Sequence, residues 1–179
     1  VSECRPYAFP DDDGIVHAMV SDDDTKSYIR QQGSKLEKHF KEIQKWDTSE
    51  IEPQLTKRFS NVFTGRTTVS AVLCIGARLG GEVRAFKNIG ALAVGIDLNP
   101  GSDNEFVLHG SATALQFASG VFDVVYTNIL DHIDDLTTFY TESKRVMKPS
   151  ALFMVDIDQN APDEWSVRDL RSDIPNFIQ

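Results

Sequence analysis

The sequence predicts an α/β fold: a doubly wound, mainly parallel sheet with helices on both faces. Three observations lead there. Apolar runs of strand length recur along the chain, as VSAVLCI (69–75), ALAVGID (91–97), VFDVVYTN (121–128) and ALFMVDID (151–158). Segments with helical spacing lie between them. The runs are nearly continuously apolar rather than alternating, as strands covered on both faces by crossover helices must be.

In chain order, residues 1–24 form an acidic arm with two triplets, Asp11–Asp13 and Asp22–Asp24. Consecutive aspartates lack the alternate spacing with which a calcium loop wraps one ion, so they read as solvated turn and helix-start chemistry. Residues 25–68 carry two helices that are either packing elements or a lid. The first, over about 24–45, sets Ile29, Leu36, Phe40 and Ile43 on one side. The second opens on an S-x-x-E capping box, Ser49 and Glu52, with Pro53 in its first turn and a stripe of Ile51, Leu55, Phe59, Val62 and Phe63.

The sheet-bearing core spans 69–179, in one domain overall. After its first strand, GGEVRAFKNIG (80–90) is a short helix with Val83, Phe86 and Ile89 inward and Gly90 as its stop. EFVLH (105–109) is a weaker third strand. Between the fourth and fifth strands, Leu136, Phe139, Tyr140, Ser143, Val146 and Met147 line a helix that ends at Lys148–Pro149. Past Asp158, a helix over 164–171 and the fragment NFIQ are the remaining elements, a shortened C-terminal end.

The 179 residues, 41% hydrophobic and 25% charged, have the composition of an ordinary globular domain. The chain opens on Val1 instead of methionine, as expected of a processed, trimmed or incomplete product. No apolar stretch reaches the length of a membrane span. Eighteen basic residues against 27 acidic ones leave a net charge of −9, which disfavours extended contact with a nucleic-acid backbone. Lys35, Lys38, Lys41 and Lys45 make the densest basic stretch, and read as a solvated helix face. Two cysteines, Cys4 and Cys74, build no disulfide framework, so a reducing, cytoplasmic setting is expected. The four histidines, His17, His39, His109 and His132, show no zinc spacing, and no metal is expected. No G-x-S-x-G elbow supports a serine hydrolase.

The informative stretch is VLCIGARLGG (72–81). In an open parallel sheet, ligands bind beyond the carboxyl ends of the strands where the winding reverses. Gly76 lets the chain bend and lets a ligand approach bare backbone, and Gly80 and Gly81 let the next helix begin close to the sheet. Asp97 closes the second strand about 20 residues further on, the separation at which a carboxylate accepts hydrogen bonds from adenosine ribose hydroxyls. A dinucleotide turn wants a middle glycine, and Arg78 stands there instead.

In that order the motifs resemble the class I S-adenosylmethionine-dependent methyltransferase superfamily, over about residues 69–158. VLCIGARLGG resembles its first motif, GIDLNPG (95–101) its ribose-binding motif, and HGSATALQF (109–117) the segment beside the adenine. FDVVYTN (122–128) resembles the fourth-strand motif, and RVMKPSALFMV (145–155) the turn into the fifth strand. The resemblance implies a Rossmann-like methyltransferase fold and S-adenosyl-L-methionine as cofactor. It places Gly76, Ala77, Arg78 and Gly80 around the methionine part, Asp97 on the ribose and Leu98 beside the adenine. Gly110, Ser111 and Ala112 fall at the adenine edge, and Asn128 and Ile129 near the reacting sulfonium. This chain departs from the pattern at Cys74 and Ser111, where acids are usual, and at Arg78.

Methyl transfer needs mainly alignment, with a base when the acceptor carries a proton. NILDHIDD (128–135) offers His132 as base or substrate contact, with Asp131 or Asp134 orienting it; a loop or capping role for His132 is the alternative. The expected acceptor is a small molecule, and a second copy of the chain is a candidate cover for an open sheet edge. Two other functions remain open: a catalytically inactive methyltransferase-fold binding protein, and an NAD(P)-dependent oxidoreductase.

Overall fold

The computed structural model describes residues 23–65, 71–101, 104–157 and 166. Of the expected arm over 1–24, residues 1–22 with Cys4 lie outside the described residues, as do the NFIQ fragment and the helix over 164–171 apart from Ser166. Two helices come first, α1 (Asp23–Trp46) and α2 (Glu52–Phe63). The core follows as β1 (Ala71–Ile75), α3 (Gly81–Asn88), β2 (Leu92–Asp97), β3 (Val107–His109), β4 (Phe122–Thr127), α4 (Leu136–Val146) and β5 (Met147–Val155).

The five strands lie in the order β3-β2-β1-β4-β5, and every pairing is parallel. Winding therefore reverses between β1 and β4, which makes the seam between them the switch point. The register brings the strand ends level: Ile75 is opposite both Ile96 and Thr127, Asp97 is opposite His109, and Thr127 is opposite Val155. The residues that follow those ends share one edge of the sheet.

Both faces are covered, as the unbroken apolar strands require. On one face Val72, Cys74, Val124 and Tyr126 pack under α2 and α3, through Leu55, Phe59, Val83 and Phe86. On the other, Leu73, Ile75, Ile96 and Val125 pack with Phe139 and Val146 of α4. Phe59 stacks on Phe86 with ring centroids 4.0 Å apart, which makes α2 a packing element of the core. Lys38, Lys41 and Lys45 are exposed on α1. No helix among the described residues is long and apolar enough to cross a membrane.

Two expectations about element ends are corrected. Ser49 and Glu52 form no capping box, because the chain never leaves the helical conformation there. A π-helical turn, Asp47–Ile51, joins α1 to α2. The widened turn lies just before Pro53, whose ring cannot sit against the carbonyl four residues back in a regular helix. It also turns Asp47 inward. The second correction concerns β5, which begins at Met147 rather than 151, with Met147 paired to Phe122 and a register shift before Val124. Pro149 ends helical geometry ahead of itself by restricting Lys148, and the free edge of β4 takes the extended chain at once.

Candidate active site

β1 ends in a turn that only a special backbone can make. Gly76 and Gly80 have φ of +80° and +86°, and Arg78 between them is the one non-glycine residue with positive φ among the described residues, at +38°. Glycine is favoured in that region because it has no Cβ to clash with the carbonyl, so Arg78 stores strain. The amides of Gly76 and Ala77 both donate to the Ile96 carbonyl, at 2.8 and 3.1 Å, which clips the turn to β2. The Gly80 amide donates to the Ala77 carbonyl at 2.6 Å. A side chain at Gly76 would lie 2.6 Å from Ile129, and one at Gly80 3.1 Å from Phe106. The Ala77 methyl is buried in the core, so any contact it makes with a ligand is through its backbone.

Asp97 holds the strained turn. Its Oδ2 accepts the Arg78 amide at 2.9 Å and its Oδ1 accepts the Asn99 amide at 2.7 Å. A carboxylate has about four lone-pair positions, so two remain for other donors. Asn104 braces the same region, donating to the carbonyls of Arg78 and Pro100 while its oxygen accepts the amides of Phe106 and Val107. Leu98 follows Asp97, half-buried.

The segment after β3 closes the adjoining side. The Gly110 amide donates to the Asp97 carbonyl at 3.0 Å, and a side chain at Gly110 would overlap the Gln116 amide, which itself donates to the His109 carbonyl at 2.8 Å. Ser111 shares its hydroxyl with Thr113 at 3.0 Å, and Ala112 packs against the α4 face of the core. Glu142 and Arg145 of α4 hold this segment through the Leu115 amide and the carbonyls of Leu115 and Phe117.

On the far side of the switch point, Thr127 donates to the Ile75 carbonyl at 3.1 Å and ties β4 to β1. Asn128 stands exposed just beyond the end of β4, and Ile129 leans over Gly76. A 3-10 turn over Leu130–His132 follows. There the His132 Nε2 lies 3.6 Å from Asp131 Oδ2, which also accepts the Ser166 hydroxyl at 2.9 Å. The structure thus joins the glycine turn with Asp97, Asp97 with Gly110, Gly76 with Ile129, and His132 with Asp131. Asp134, the other acid proposed to orient His132, is exposed.

Sequence reasoning missed the charged residues beneath the turn. Asp47, from the π turn, lies against Gly81 and pairs with Arg84, whose Nε also reaches Glu52 at 2.6 Å. Burial pushes the Asp47 carboxyl above its usual range, against the pull of Arg84 and Arg78. Glu82, in the first turn of α3, is only 7% exposed and accepts a hydrogen bond from Asn128 Nδ2 at 3.1 Å. Burial pushes its pKa up to about 7, and the charges of Asp47 and Asp97 add to the rise. In the sequence Glu82 reads as an ordinary acidic residue at a helix start, and no periodicity marks it.

The sign of the Glu82 shift gives a stability prediction. The folded state holds this proton more tightly than the unfolded chain, so its contribution is complete below about pH 4.5 and is lost as pH rises through 7. Glu82→Gln keeps an oxygen for Asn128 and removes the titration. Thermal melts at pH 5 and pH 8 should show the variant gaining on the wild type as pH rises, by up to about 3 kcal/mol.

A family model described as a methyltransferase domain matches residues 73–155. A search of curated proteins finds no match. Among solved structures, the chain resembles the PH0226 protein of Pyrococcus horikoshii OT3, with 21% identity and a TM-score of 0.53 over 72% of this chain and 63% of that one. It also resembles a SAM-dependent methyltransferase from Aquifex aeolicus, at 16% identity and 0.52 over 73% and 78%. A third is phosphoethanolamine N-methyltransferase 2 of Haemonchus contortus, solved with phosphomonomethylethanolamine and S-adenosylhomocysteine, at 18% and 0.53 over 69% and 35%. The chain therefore spans less than two thirds of the Pyrococcus protein and about a third of the Haemonchus enzyme. Strand order and glycine turn accord with that match: residues 73–155 are similar to a methyltransferase domain, in a fold these solved structures share.

Proposed function

We propose that this protein is an S-adenosylmethionine-dependent methyltransferase acting on a small-molecule acceptor. The observation that carries the reading is Asp97, a carboxylate held at the rim of a bare glycine turn with two lone-pair positions to spare. Those positions suit the two ribose hydroxyls, while Gly76 and Gly80 put no side chain of their own between the turn and the methionine part. Leu98, Gly110, Ser111 and Ala112 would border the adenine. S-adenosylmethionine, when bound, supplies a methyl group on a positively charged sulfur.

The chain's own residues then have to align an acceptor and exclude water. Asn128 and Ile129, beyond the end of β4, are the nearest groups for that task. His132 would take a proton from a hydroxyl acceptor, and Asp131 at 3.6 Å would stabilise the resulting imidazolium. His132→Ala should lower kcat with such an acceptor by about 100-fold and leave cofactor affinity unchanged, read from steady-state rates and calorimetry. The net charge of −9 favours a small acceptor over nucleic acid. No membrane partner is part of this reading, and a cytoplasmic setting accords with the free, buried Cys74. A second copy would cover the β5 side, where the described sheet ends.

One observation favours the alternative of an inactive methyltransferase-fold binding protein: the Ile129 side chain sits directly over Gly76 and narrows the crevice. Calorimetric titration with S-adenosylhomocysteine, and separately with a nicotinamide dinucleotide, separates the readings. Micromolar binding of the first and silence with the second is the expected result. Binding of the dinucleotide alone would indicate an oxidoreductase, and silence with both the inactive form.

A further inference from the structure

The site contains a buried acid that the proposed transfer does not use. Glu82 lies over the β1–β4 seam, where Cys74 and Tyr126 are paired across the strands. Its negative charge is close enough to oppose ionisation of both the Cys74 thiol and the Tyr126 phenol, on top of what burial does to each. It enters from the first turn of α3, directly after the glycine turn, and Asn128 reaches it from the end of β4. It is therefore at the switch point itself, between the two strand ends that border the crevice.

The surroundings of this carboxylate are unusual. Asp47 faces it from the π turn and Asp97 from the end of β2, both raising its proton affinity, while Arg78 from the glycine turn and its own backbone amide oppose them. Among the described residues no lysine, arginine or histidine makes an ion pair with it. Arg84, half-buried in the same helix, is committed to Asp47, Glu52 and the Leu79 carbonyl. A carboxylate taken out of water without a cation is costly, and the cost is removed when a positive group arrives.

We propose that Glu82 is a specificity-determining residue that receives a cationic centre of the ligand bound in this crevice. The inference rests on the proposed cofactor, which carries two such centres, the sulfonium and the methionine ammonium. An incoming cation favours the ionised form of Glu82, and the proton of the fraction that was protonated leaves to solvent.

The test compares three ligands by calorimetry at pH 8: S-adenosylmethionine with both cations, S-adenosylhomocysteine with the ammonium alone, and a deamino analogue of S-adenosylhomocysteine with neither. The wild type is expected to bind at least one cationic ligand tenfold or more tightly than the deamino analogue. Glu82→Gln should abolish that preference and leave the deamino analogue unchanged. Loss for both cationic ligands identifies the ammonium as the partner, and loss for S-adenosylmethionine alone identifies the sulfonium. Equal affinity of the wild type for all three ligands overturns the inference, a result that needs no variant. So does a Glu82→Gln effect that is absent or the same for every ligand. If the wild type binds none of them, the cofactor reading itself fails and the inference falls with it.

Discussion

Replacing Asp97 with alanine should abolish S-adenosylhomocysteine binding and also destabilise the fold. Binding is lost because the ribose hydroxyls lose a charged acceptor. Each such bond contributes about 1.5–3 kcal/mol, so two of them amount to at least a 100-fold loss in affinity. Stability is lost because the same oxygens hold the Arg78 amide at 2.9 Å and the Asn99 amide at 2.7 Å. Without them the positive φ of Arg78 has no compensation. The expected fall in Tm is about 2–4 °C for each kcal/mol lost. Asp97→Asn separates the two roles: it keeps one acceptor for one amide but removes the charge, so its melting temperature should lie between wild type and alanine while binding is still lost. Calorimetry and thermal melts on the two variants decide the matter. Unchanged affinity in Asp97→Ala would make the carboxylate a purely structural clip.

Phe59→Ala should be the most destabilising single change in the helical segment that precedes the sheet. The ring is fully buried, stacked on Phe86 and edge-on to Tyr126 at 5.4 Å. Truncating a buried phenylalanine costs about 3–5 kcal/mol, a large part of the 5–15 kcal/mol that holds a domain together. The loss reaches the site as well. α2 and the preceding π turn bring Glu52 and Asp47 to Arg84, and Arg84 grips the Leu79 carbonyl within the glycine turn. Urea denaturation should show a much lower midpoint for Phe59→Ala, whereas Val62→Ala, on the exposed side at 41%, should stay within about 0.5 kcal/mol of wild type. An unchanged midpoint for Phe59→Ala would mean that α2 is a detachable lid.

Much of the fold was legible because it rests on local patterns. VLCI and VVY are unbroken apolar runs, and all of Val72, Leu73, Val124, Val125 and Tyr126 are buried. Gly76 and Gly80 were legible because a tight turn into a helix leaves few other residues available, and both have positive φ. The element ends were harder. Ser49 and Glu52 have the spacing of a cap, yet Glu52 serves Arg84 instead, since a charged partner outside the helix outweighs a local hydrogen bond. Met147 reads as helical by its spacing, but the open edge of β4 draws it into the sheet.

The sequence by itself determined the alternation of strands and helices, the place of the glycine turn and the acid at the end of β2, because each depends on residues near one another along the chain. Tertiary structure alone decided what surrounds Glu82. Asp47 arrives there through a π turn that sequence periodicity does not announce, Asn128 through the order of the strands, and Cys74 and Tyr126 through the register of β1 on β4. The ionisation of a buried acid depends on every charge within a few ångströms and on the water excluded around it. Those neighbours come from separate segments, so they become a site only when the chain is folded.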